Sequence, residues 1–139
     1  MKKWFLVAAA ALVLAGMLLP TASYTEDRDT VLLARAIYAL AGSDSYEAKL
    51  AVGSVAMNRV ADAWFGNTLE AVLNEQHQFP IGRRYDSDSL AAAHAVLSGQ
   101  RALPANALYY HPLDAAEPWH QDPVKTAGNL AFYTTDGNW

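Results

Sequence analysis

Two carboxylates three residues apart, Asp44 and Glu47, open the stretch Asp44-Ser45-Tyr46-Glu47. An acid at a helix start with a glutamate three residues on is the pattern of a reciprocal capping pair. The first carboxylate accepts backbone N–H bonds and the second reaches back, which explains both acids without catalysis. A second cluster, Gln78 and Phe79 with Arg83, Arg84 and Tyr85 nearby, suits a saccharide groove, where an aromatic face stacks on a sugar and an amide bonds its hydroxyls. The alternative is a solvated loop with one aromatic tucked into the core. Tyr109, Tyr110 and Trp119 divide in the same way, and strand alternation should bury one tyrosine of the adjacent pair and expose the other. His77, His94, His111 and His120 are metal ligands by type. No two of them are spaced i, i+4 and no cysteine accompanies them, so neither a metal nor another cofactor is expected. The chain also lacks a Gly-x-Ser-x-Gly elbow, which with the absent cysteine argues against a nucleophilic serine or cysteine.

The elements that must position these residues begin after an apolar leader. Met1-Lys2-Lys3 is a short basic start, Trp4 to Leu19 carries no charge, and Pro20-Thr21-Ala22-Ser23 closes the run with small residues. This is the layout of a secretory signal peptide over residues 1–23, with the mature domain expected over 24–139. The run is shorter than the roughly 20 residues a spanning helix needs, so a membrane role is expected only if the leader stays uncleaved as a tilted anchor. Without Lys2 and Lys3, eight basic residues face fourteen acidic ones. That excess of acid argues against a nucleic-acid partner.

The mature part has room for one domain. Asp29 or Thr30 can cap a first helix carrying Leu32, Leu33, Ala36, Ile37 and Leu40 on one face, and Gly42 stops it. A second helix is expected from about Ser45 to Asp62, and a short one capped by Thr68 runs through Leu73. After a loop over 74–85, an alanine-rich helix capped by Asp86 or Asp88 continues to Leu97 and ends at Gly99. Ala107-Leu108-Tyr109-Tyr110 and Leu130 to Thr134 read as short strands, separated by a loop from His111 to Pro123. The fold class is therefore α+β, mainly helical with a small C-terminal β region. Asn58 and Arg59, at the end of the second helix, are expected to bond terminal carbonyls and neighbouring loops, while Arg35 is free to point towards a groove.

Three separated stretches resemble one family. Leu32-Leu33-Ala34-Arg35-Ala36-Ile37, then Tyr46 to Gly53 with Asn58-Arg59-Val60, is similar to the opening of the SleB/CwlJ-type cell-wall hydrolase domain. Gln78-Phe79 matches its central loop. Ala107 to Tyr110 with Pro112, Pro118-Trp119, and Lys125-Thr126-Ala127-Gly128-Asn129 leading into Phe132 match its closing segment. The resemblance runs from about Val31 to Tyr133 in the family's order. It implies a lysozyme-like, transglycosylase-type single domain that cleaves peptidoglycan glycan strands outside the cytoplasm, with one glutamate as general acid/base. The family's first helix ends in Glu-Ala-x-Gly-Glu, where this chain reads Leu40-Ala41-Gly42-Ser43-Asp44. The second acid survives as Asp44, and the first, catalytic one is matched by Leu40, which transfers no proton.

Three readings follow from the resemblance. Asp44 or Glu47 substitutes for the missing acid in an active hydrolase. Alternatively, the chain keeps the fold and groove and binds peptidoglycan silently, localising or tuning a partner hydrolase. In the third reading it uses the fold only as an interaction scaffold. The second and third part at the groove: Gln78, Phe79, Tyr109 and Trp119 must converge on an open cleft near Leu40 for glycan binding to hold.

Overall fold

The structure, a computed structural model, describes residues 27–115 and 122–134. The expected leader over 1–23, Trp119 and His120 lie outside the described residues. Helix α1 spans Arg28–Ala41. It starts two to three residues earlier than expected, because Asp27 is extended and its Oδ1 accepts from both the N–H and the hydroxyl of Thr30, at 2.7 and 2.8 Å. Thr30 is thus the partner of the cap and not the cap itself. The face of α1 carrying Leu33, Ala34, Ala36, Ile37 and Ala41 is buried, and each of the larger aliphatic side chains contributes about 1.5–3 kcal/mol by leaving water.

Helix α2, Tyr46–Ala61, is the axis of the domain, buried almost continuously from Ala48 to Arg59. Its small residues let neighbours approach. A Cβ at Gly53 would lie 3.0 Å from Val96 Cγ2 and 3.3 Å from Ile37 Cδ1. The short α3, Leu69–Asn74, is capped by Thr68 as its sequence suggests. Helix α4, Ser87–Leu97, is capped by Asp86 and packs across α1 and α2. The same Asp86 accepts from Lys49 Nζ at 3.1 Å, satisfying a lysine only 2% exposed within α2.

Strands β1 (Ala107–Pro112), β2 (Lys125–Ala127) and β3 (Leu130–Thr134) form an antiparallel sheet in the order β1-β3-β2. Two strands were legible beforehand. Strand β2 was not, and β1 runs two residues into the expected loop, because Pro112 pairs with Leu130 and Ala127 turns back onto Leu130 through Gly128-Asn129. The sheet packs on α2 through both β1 and β2, with Phe132 fully buried between them. Helices first and a small sheet last give the mainly helical α+β architecture expected from the sequence.

Candidate functional site

The last turn of α2 carries the polar pair from which the site is built. Asn58 donates from Nδ2 to the carbonyls of Pro104 and Ala107, at 2.8 and 3.1 Å. Arg59 donates from Nε to Leu108 O at 2.7 Å and from NH1 to Gln78 Oε1 at 3.0 Å. These bonds go to β1 and the central loop and not to the helix's own terminal carbonyls. The reason is a register shift in β1: Ala107 faces Thr134, Tyr109 faces Tyr133, and Leu108 is left without a cross-strand partner. Arg59 takes up the carbonyl of Leu108, the residue the ladder skips.

Arg59 is buried, with the residue 3% exposed. Its guanidinium lies over two aromatic rings, 4.7 Å from the centroid of Phe65 and 5.2 Å from that of Phe79. Burial lowers its pKa from the ordinary value, yet arginine keeps its charge in proteins. Phe79 is the aromatic tucked into the core, with its ring centroid 5.5 Å from that of Tyr110. The Tyr110 hydroxyl donates to Gln78 O. Burial pushes this phenol up to about 12 against the opposing influence of Arg59, so it remains a neutral donor.

Above this floor opens a cavity of about 390 Å³. Gln78, Tyr109 and Tyr110 line it with Arg59, and His77, His111 and Pro112 complete the wall. Three of the five groove residues expected from sequence therefore meet, Phe79 supports them from beneath, and Trp119 lies outside the described residues. Tyr109 and Tyr110 do not divide into buried and exposed. Both are half-buried, because the irregularity before Tyr109 breaks strict alternation. Arg83, Arg84 and Tyr85 are exposed and do not line the cavity. Arg35 donates to Gly82 O at 2.6 Å and lines a different cavity, of about 370 Å³, with Asp27, Arg28 and Glu70.

Sequence reasoning passed over Arg59, His77 and His111 as lining residues. Arg59 was read as structural, and it is both. His77 has the only positive φ of any described non-glycine residue, 66°. A side chain in the left-handed region costs energy that surrounding structure must hold, and such strain clusters at functional sites. Among the described residues, no group of three His, Asp or Glu side chains is arranged to hold a metal ion.

Leu40, Asp44 and Glu47 are not among the residues that line this cavity. Leu40 is half-buried and packed against the core. The cap of α2 is Ser45, whose hydroxyl accepts from Ala48 N–H at 3.3 Å, so Asp44 and Glu47 are not the capping pair their spacing suggested. Both acids instead hold the β2–β3 hairpin. Asp44 accepts from the backbone N–H and the side-chain amide of Asn129, at 3.4 and 3.3 Å. Glu47 pairs with Lys125 Nζ at 2.6 Å. Gly128, at φ 57°, passes so close that a Cβ there would stand 2.5 Å from Asp44 Cγ. The hairpin also ties the two regions together, because Asn129 O accepts from Leu113 N–H at 2.8 Å, next to Pro112 at the edge of the cavity.

Comparison with known proteins places this geometry. The cell wall hydrolase domain matches residues 43–133, beginning three residues after Leu40. A spore cortex-lytic enzyme of Bacillus cereus is 32% identical over 112 residues, covering 75% of this chain and 43% of that protein. The Bacillus subtilis spore cortex-lytic enzyme is 32% identical over 114 residues, with 37% of its length covered. The chain thus spans less than half the length of these relatives. Two solved structures share the fold: the catalytic domain of the Bacillus cereus SleB protein, at 28% identity and a TM-score of 0.69, covering 81% of this chain and 94% of that one, and the catalytic domain of the germination-specific lytic transglycosylase SleB from Bacillus anthracis, at 25% identity and 0.70, covering 81% and 98%.

Proposed function

Because the chain belongs to the cell wall hydrolase family, we propose that it is an exported protein that binds peptidoglycan glycan strands in the cavity beside β1 and does not cleave them. The observation that carries this reading is the convergence of Gln78, Tyr109 and Tyr110 on one open cavity of about 390 Å³ over the Arg59 floor. Aromatic faces and fixed amides are what sugar recognition needs. The convergence supports a retained groove over a bare scaffold, although Leu40 is not among the residues that line it.

Silence follows from the acids. In the register of the family resemblance, Leu40 takes the place of the glutamate that would protonate the leaving oxygen. Such a proton donor supplies about 10² to 10⁴ in rate. Glu47 is ion-paired to Lys125 and Asp44 bonds the Asn129 turn, so both alternatives are already engaged. An active enzyme with Asp44 as substitute is the second reading. It is favoured by the length of the Asp44 bonds, 3.3 and 3.4 Å, which would release the carboxylate at small cost.

Export rests on the leader over residues 1–23, and the extracytoplasmic cell wall is where a partner hydrolase would be localised or tuned. The test is sedimentation of the purified protein with purified sacculi. The native protein is expected to pellet, and Gln78→Ala and Tyr109→Ala, with unfolding midpoints retained, are expected to stay in the supernatant. A native protein that remains soluble beside the sacculi refutes glycan binding.

A further inference from the structure

Gln78 is bonded to the rest of the domain through its backbone and its side chain at once. Its N–H donates to Glu75 O at 3.3 Å, its carbonyl accepts from the Tyr110 hydroxyl, and its Oε1 accepts from Arg59 NH1 at 3.0 Å. The next residue, Phe79, is buried, with its ring centroid 5.5 Å from that of Tyr110. Backbone and side chain of Gln78 are therefore fixed together at the wall of the cavity it lines.

The identity of the partner decides which way the amide faces. The oxygen and nitrogen of a glutamine amide differ in hydrogen-bonding sense, and an arginine carries donors alone. The atom that meets Arg59 NH1 is thus the oxygen. Arg59 is itself pinned: its Nε donates to Leu108 O at 2.7 Å, and its guanidinium lies over the rings of Phe65 and Phe79. A rigid planar fork anchored in this way holds the amide in one of its two flips. What the Gln78 side chain then offers a ligand is Nε2, a donor with no acceptor capacity.

We propose that Arg59 is a positioning residue that makes Gln78 a fixed hydrogen-bond donor, and that the group it reads is the acetamido carbonyl of an N-acetylated sugar. This rests on the glycan-binding reading and names the substituent the cavity selects. Sugar hydroxyls both donate and accept, so they satisfy either face of an amide, whereas a carbonyl oxygen only accepts. Removing the acetyl group puts an ammonium in its place, and two donors then face each other unpaired. A donor oriented before the ligand arrives also costs little ordering when it binds.

The experiment sediments the full chain with purified sacculi before and after enzymatic removal of their N-acetyl groups, over a range of sacculus concentrations. Stem peptides and their carbonyls are the same in both polymers. The added amines attract an acidic chain, so salt is included to screen that attraction. The native protein is expected to bind the acetylated polymer at least about tenfold more tightly. Gln78→Glu still accepts from Arg59 but offers an oxygen where the donor was, so its preference is expected to reverse in favour of the amine-bearing polymer. Arg59→Lys keeps the charge and loses the fork, and should bring the ratio below about threefold. A purely structural role for the Arg59–Gln78 bond would instead weaken binding to both polymers equally and leave the ratio unchanged.

Equal binding of the native protein to both polymers overturns the inference while leaving glycan binding intact, as does a Gln78→Glu protein that keeps the native preference. A folded Arg59→Lys protein with the native ratio overturns the positioning role; if that variant unfolds, Gln78→Glu decides alone. A native protein that pellets with neither polymer removes the glycan reading and this inference together.

Discussion

Placing an alanine at Gly128 probes how Asp44 is used. The position has φ 57°, and a side chain in the left-handed region costs about 1–2 kcal/mol. The new Cβ would also stand 2.5 Å from Asp44 Cγ and 2.8 Å from its Cβ and Oδ2, so the carboxylate has to leave. Its two long bonds to Asn129 are then lost, at roughly 0.5 kcal/mol each. Gly128→Ala is therefore expected to destabilise by about 2–3 kcal/mol, which lowers Tm by roughly 8–12 °C in a domain of this size. In an Asp44→Gly background the overlap and the bonds are already gone, and the same substitution should cost only the backbone term, about 1–2 kcal/mol. Thermal unfolding of the four proteins gives a double-mutant cycle with an expected coupling of about 1 kcal/mol. Additivity to within about 0.3 kcal/mol would refute the clamp, and with it the case that Asp44 is occupied by structure and not available as an acid.

The other predictions concern the supports of the cleft and the helix caps. Asn58→Ala removes the donor to the buried Ala107 carbonyl and one of the two donors to Pro104 O, which keeps the Ala107 N–H, and should cost about 1–3 kcal/mol by urea unfolding; a change below about 0.5 kcal/mol would mean β1 is anchored elsewhere. Glu47→Gln removes an ion pair whose glutamate is largely exposed, so unfolding should shift by less than about 1 kcal/mol with sacculus binding unchanged. Asp86 is held down to about 2, from 3.8, by Ser89 and then by Lys49; the Ser89 N–H donates to it at 2.8 Å, while the nearby Ser89 hydroxyl makes no hydrogen bond of normal geometry. A carboxylate with a lowered folded pKa contributes stability that is complete above about 3.8 and is lost as pH falls through about 2. The Asp86 side chain is 39% exposed, so after solvent screening this amounts to about 1 kcal/mol. Asp86→Asn should flatten that part of the Tm profile, and an unchanged profile would reject the assignment.

Much of the fold was legible because its signals are local. Thr68 and Asp86 cap the helices their sequences suggest, and the alanine-rich run of α4 ends where expected. Failures came where distant chain segments compete for the same polar groups. Asp44 and Glu47 have ideal capping spacing, but Ser45 caps the helix and a hairpin more than 80 residues away takes Asp44, with an |i−j| of 85 to Asn129. Strand β2 has three residues and exists through its pairing with β3, so no local periodicity announced it. At the site, Gln78, Tyr109 and Tyr110 were recognisable by type. The two imidazoles were read only as metal candidates, since sequence spacing does not reveal that a loop residue at positive φ and a strand residue share one wall. Arg59 was legible as a structural residue bonding neighbouring loops, but not as part of the cavity lining, because its partners lie 19 and 49 residues away.

Release of soluble fragments from purified sacculi, resolved by chromatography, is the most direct test of binding without cleavage. The native protein is expected to release nothing while sedimenting with the sacculi, and Leu40→Glu is expected to gain cleavage by restoring a proton donor, an effect of about 10² or more in rate. Fragment release by the native protein, abolished by Asp44→Asn or Glu47→Gln, would contradict this and establish an active hydrolase with a relocated acid.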